Sequence, residues 1–144
     1  MIYTKLTKMA MRIAFEAHKE QVDKCGVPYI FHPIHLAEQM TDEVTTCAAL
    51  LHDVVEDTDM TFEDLTAAGF PDAVTDALRL LTHDPAVPYM DYVREIKKNP
   101  VATAVKLADL RHNSDTTRLD EINDKAVKRC EKYKEAIGIL MDAE

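Results

Sequence analysis

The stretch CAALLHDVVEDT, residues 47–58, sets His52, Asp53, Glu56 and Asp57 among apolar neighbours. An imidazole beside a carboxylate suits a divalent first-row metal, which takes nitrogen and oxygen donors together. Glu56 follows His52 by four residues and Asp57 follows Asp53 by four, so on a helix the second pair projects beside the first, one turn on. A carboxylate just outside a metal's coordination shell can take a proton from bound water. The same four residues also fit the solvated face of an ordinary amphipathic helix, with Cys47, Ala48, Leu50, Leu51, Val54 and Val55 opposite. Their negative charge calls for a divalent ion, or for a lysine or arginine from another element.

Two other stretches offer partners. In VKLADLRHNSD, residues 105–115, Lys106, Asp109 and Asn113 share a helix face. In KCGVPYIFHP, Lys24 and His32 flank a loop stiffened by Pro28. Alone, the first is a salt-bridging helix face and His32 a cap or a buried, satisfied histidine. With residues 47–58 they could complete a metal set of His32, His52, Asp53 and Asp109, with Lys106 placed for phosphate oxygens and Asn113 for a polar edge of a ligand. Arg129 and Tyr133, four residues apart, could hold a phosphate or stack a base. His18, His35 and His83 read as structural.

These residues need rigid elements, and the hydrophobic pattern predicts helices throughout. Three glycines and six prolines fall between helical patterns, and no segment alternates as a strand does. Helices are expected at about 4–21, from His32-Pro33 through Met40, over 43–57, from a capping box at Thr61 to Gly69, from Pro71 to Leu81, over 89–98, from Pro100 through Leu110, and over 123–141. The fold class is all-α, a single-domain bundle of about seven to eight helices covering residues 1–144.

Composition narrows the function. A chain of 144 residues buries one real core. Twenty-six acidic against 17 basic side chains give a net charge of −9, which repels a phosphate backbone and leaves no basic stripe for nucleic acid. No apolar run is long enough to span a membrane, and the charged N-terminus is unlike a signal peptide. Three scattered cysteines, Cys25, Cys47 and Cys130, fit a reducing compartment. The expected location is the cytoplasm, and the expected partner is a small phosphorylated nucleotide, with neither nucleic acid nor membrane. Composition leaves the oligomeric state open.

AHKEQVDKCGVPYIFHP, ALLHDVVEDT and VKLADLRHN, taken together, resemble the hydrolase domain of the Rel/SpoT alarmone enzymes and their small stand-alone relatives, a branch of the HD superfamily. The resemblance implies a divalent metal, usually Mn2+, held by His32, His52, Asp53 and Asp109, with Glu56 and Asp57 activating or orienting water. It also implies nucleotide contacts from Lys24, Lys106 and Asn113, with Arg129 and Tyr133 finishing the pocket. Two stretches depart from the family pattern. Glu20 and Asp23 stand where glycine and arginine are usual, reversing a charge beside the base, and the usual ADRLHN is ADLRHN, moving an arginine to Arg111.

The activity so implied is a (p)ppGpp 3′-pyrophosphohydrolase, releasing pyrophosphate by attack of a metal-activated water. The chain ends near its last helix, so alarmone synthesis is not expected. One alternative keeps the centre but acts on another phosphorylated nucleotide or cofactor, such as NADPH. The other is a helical module that binds a nucleotide without turning it over, which would not need Glu56 and Asp57. The sequence leaves open whether the loop around Pro85–Pro88 gates access.

Overall fold

The computed structural model describes residues 1–142. They form α1 (Lys5–His18), α2 (Phe31–Glu38), α3 (Glu43–Leu51), α4 (Val54–Asp57), α5 (Phe62–Ala68), α6 (Asp72–Leu81), α7 (Tyr89–Lys97), α8 (Pro100–Asn113) and α9 (Asp124–Met141), with a 3-10 turn at Thr116–Arg118. The fold is all-helical. The one β-type pairing among the described residues is an isolated bridge between Val22 and Pro28.

α3 is the axis. Every residue from Thr45 to Leu51 is buried, because α1, α2, α6 and α8 pack around it. A helix apolar on all sides belongs in the middle of a core. That core runs from Ala10 on α1 to Leu140 on α9. The amphipathic reading of residues 47–58 is therefore corrected, since α3 has no solvated face and its polar residues lie past its end.

The expected third helix is two. α3 stops at Leu51, and Asp53 takes φ −110° and ψ 0° before α4 begins, a bridge conformation common at turns and working sites. The bend turns His52 inward, 6% exposed, and leaves Glu56 and Asp57 on a short separate turn. Other ends sit within a few residues of expectation. α1 closes at His18 rather than Gln21, and α2 opens at Phe31, putting Pro33 inside its first turn, where the missing N–H still costs nothing. Thr61 and Asp64 form the capping box of α5, and Gly69 ends that helix at φ 109°.

The segment between α1 and α2 is organised by Asp23. Its Oδ1 accepts the backbone N–H groups of Cys25 and Val27 at 2.8 and 3.0 Å. Gly26 turns the chain at φ 81°. This tight turn sets Tyr29 and His32 at the mouth of the bundle.

Candidate metal centre and the cavities beside it

α2, the α3 end and α8 bring His32, His52 and Asp109 together, all three buried, with one ligand atom from each within 4.8 Å of the others. His32 Nε2 lies 2.8 Å from Asp109 Oδ1. The Nδ1 of His52 is 2.7 Å from the carbonyl of Ala49, and only a protonated nitrogen can bond a carbonyl. The Nε2 of a neutral His52 therefore carries a lone pair. It faces Asp53 Oδ2 at 3.0 Å and Asp109 Oδ1 at 3.8 Å, yet closes no hydrogen bond. A buried lone pair aimed at carboxylates needs a cation, so these donors fit a divalent metal.

Charge tells the same story. Burial works against ionising Asp109, but Lys106, then the His32 hydrogen bond and His52, hold its carboxyl well below the usual range. Burial likewise opposes the Asp53 charge, and His52 overrides it, taking Asp53 down to about 2. For His52, burial disfavours the cation, while Asp53 and then Asp109 raise it to about 9. Carboxylates that favour a proton on His52 Nε2 favour a metal ion in the same place. Asp53 lies beside this triad rather than in it, its Oδ2 accepting the hydroxyl of Tyr29.

Two cavities meet here. One of about 380 Å3 is lined by Lys24, Asn113, Arg129 and Tyr133 together with His32, Asp53 and Asp109, and its volume is within the range of small-molecule sites. Asn113 Nδ2 donates to Asp109 Oδ1 at 3.0 Å. Lys106 is not on that wall. Its ammonium donates to Asp109 Oδ2 at 3.0 Å and lines a second chamber of about 130 Å3 with Glu56, His83, Tyr89 and Tyr92. Glu56 accepts the backbone N–H of His83 at 3.1 Å. Asp57 faces α1, where His18 Nδ1 lies 3.9 Å away. Burial, then the neighbouring acidic groups, raises both Glu56 and Asp57.

Several residues that pattern reading passed over sit at the centre. His112 stacks on His32 with ring centroids 4.9 Å apart and Nδ1 atoms 2.6 Å apart. Burial and then Arg118 push His112 down to about 4, so at neutral pH its ring is uncharged beside that of His32. Arg118 donates to Asp23 Oδ2 at 2.8 Å and to the carbonyl of His112 at 2.9 Å. The charge reversed at Asp23 is thus matched by a guanidinium on the wall of the larger cavity. Arg111 reaches Met141 instead and lines neither cavity. Tyr29 preceding His32 by three residues, VPYIFHP, was the one available signal.

A model of the HD domain matches residues 10–83. The chain belongs to the HD-domain family. Among HD-domain relatives, it is 34% identical over 144 residues to the guanosine-3′,5′-bis(diphosphate) 3′-pyrophosphohydrolase of Aquifex aeolicus, covering 92% of this chain and 20% of that one. The enzyme of that name in Danio rerio is 38% identical over 116 residues, 72% of this chain and 64% of that one. The bifunctional (p)ppGpp synthase/hydrolase SpoT of Escherichia coli is 33% identical over 126 residues, 78% and 18%. This HD-domain chain thus spans less than two thirds of each. Among its described residues no helix is long and apolar enough to cross a membrane.

Proposed function

We propose that the protein is a metal-dependent phosphohydrolase that removes the 3′-pyrophosphate of (p)ppGpp. The observation that carries this reading is the unpaired Nε2 of His52 facing two carboxylates where a nucleotide-sized cavity meets a smaller polar one. The printed activities of the Aquifex and Danio relatives support the substrate. His32, His52, Asp53 and Asp109 would hold the ion, for which we assign Mn2+. When bound, such an ion lowers the pKa of water and neutralises phosphoryl oxygens.

Glu56, raised above the ordinary carboxylate value, takes a proton from the attacking water and returns it to the ribose 3′-oxygen. A new bond forms from water oxygen to phosphorus, the bond from phosphorus to the 3′-oxygen breaks, and diphosphate leaves. Asp57, held on the α1 side near His18, fixes α4 and so aims Glu56. Lys24, Asn113, Arg129 and Tyr133 bind the nucleoside, and Lys106 the phosphates. Three free cysteines support a cytoplasmic location.

A second reading follows from Asp23 and Arg118, which give the base a wall unlike the Rel/SpoT pattern and favour another phosphorylated nucleotide. Metal-free protein, with and without Mn2+, is incubated with ppGpp, pppGpp, NADPH and nucleoside monophosphates, and the products are identified. Mn2+-dependent pyrophosphate from ppGpp is the expected result. Orthophosphate from another substrate, with ppGpp untouched, would move the protein to that substrate. Glu56→Gln is expected to lower kcat by about 10²–10⁴-fold, and unchanged turnover in that variant would overturn the mechanism.

A further inference from the structure

The 130 Å3 chamber adjoins the metal centre and shares Asp53 and Asp109 with the nucleotide-sized cavity. Ligand pockets for drug-sized molecules begin at roughly 300 Å3, so this chamber admits a small group and excludes a nucleoside. α7 presents two tyrosines to it, three residues apart, with different fates. The hydroxyl of Tyr92 donates to the carbonyl of Leu81 at 2.5 Å, tying α7 to α6. The hydroxyl of Tyr89 is buried and, among the described residues, closes no hydrogen bond. A buried hydroxyl without a partner is costly, and it persists where a ligand supplies the missing acceptor.

The cation beside it is also incompletely used. Lys106 has three N–H donors, and one of them goes to Asp109 at 3.0 Å. Its ammonium lies 5.3 Å from the ring centre of Tyr92 and 5.9 Å from that of Tyr89. An ammonium and a phenol on one wall, opposite carboxylates that a metal ion would neutralise, make a seat for a phosphoryl group.

We propose that this chamber binds the terminal phosphoryl group of the diphosphate being released, through the Lys106 ammonium and the Tyr89 hydroxyl. The proposal rests on the phosphohydrolase reading, and it assigns the two ends of the substrate to the two cavities: nucleoside in the larger, phosphate end in the smaller.

The test is binding of inorganic diphosphate to the Mn2+-loaded full chain by calorimetry, alongside thermal unfolding and GDP binding. Tyr89→Phe is expected to weaken diphosphate about tenfold, leave GDP affinity unchanged, and keep or raise the unfolding temperature, since it deletes only an unpartnered hydroxyl. Tyr92→Phe is expected to do the reverse, lowering the unfolding temperature with diphosphate affinity intact. Unchanged diphosphate affinity in Tyr89→Phe overturns the proposal. Wild type that hydrolyses ppGpp yet binds no diphosphate also overturns it and leaves the hydrolase reading standing. Diphosphate binding lost in Tyr89→Phe, with no turnover of any nucleotide, upholds the chamber and removes the hydrolase reading.

Discussion

His32 uses its two ring nitrogens for different purposes: Nε2 faces Asp109 and Nδ1 faces His112. A ligand imidazole whose far nitrogen is held this way keeps the right tautomer and orientation, and losing that support typically costs 10–100-fold in metal affinity. His112→Phe preserves the stack but removes the hydrogen-bond partner of His32 Nδ1. We expect Mn2+ affinity to fall by roughly that factor in a calorimetric titration. Asp23 makes a prediction in pH. Burial pushes its carboxyl up, but the N–H groups of Val27 and Cys25 and the Arg118 guanidinium outweigh this and lower it from 3.8. A carboxyl depressed by folding adds stability above its ordinary value, and that contribution disappears as pH falls through the folded value. Asp23→Asn should therefore be less stable than wild type at pH 7 by ~1–3 kcal/mol, and urea melts should show the gap closing below the ordinary value of 3.8. The sequence made His32, His52, Asp109 and Glu56 visible because their side-chain types announce chemistry. It hid Tyr29, His112 and Arg118, whose partners lie 24, 80 and 95 residues away, distances at which no local pattern operates.

At the level of elements, helix ends were easier to read than helix interiors. Thr61 donates nothing to the core, yet its hydroxyl accepts the N–H of Asp64 at 3.1 Å while Asp64 accepts the N–H of Thr61 at 3.0 Å. Thr61→Ala should cost about 1 kcal/mol in chemical denaturation. Gly69→Ala should cost about 1–2 kcal/mol, because a residue with a Cβ is strained at φ 109° even though open space surrounds the position. The break between α3 and α4 had no such marker. No glycine or proline stands near His52 and Asp53, and the apolar spacing continues across them. Tertiary demands set the bend: α3 must remain in the core while the next residues reach the mouth of the cavity.

On the scale of the whole molecule, the metal centre joins the two halves of the chain. His32 and His52 come from the region matched by the HD domain, Asp109 from α8 beyond it. An ion that binds only this assembled set stabilises the fold by mass action, by about 2.7 kcal/mol at a concentration 100 times its Kd. Mn2+ should raise the unfolding temperature in a scanning measurement, a chelator should reverse the rise, and His52→Asn should abolish it. A net charge of −9 does not prevent anion binding on this view, since the cations that matter are few and local. Composition made the acidic balance legible. It carried no trace of the two cavities, which exist only once α7, α8 and α9 have packed.

The Asp23–Arg118 contact also couples what the protein can accept at one of these positions to what stands at the other. Replacing Asp23 with arginine would set two guanidiniums against each other and free the N–H groups of Cys25 and Val27 at once. Removing Arg118 first leaves a carboxylate that still has those two donors. A double-mutant cycle across the two positions should return a coupling of about 0.5–3 kcal/mol.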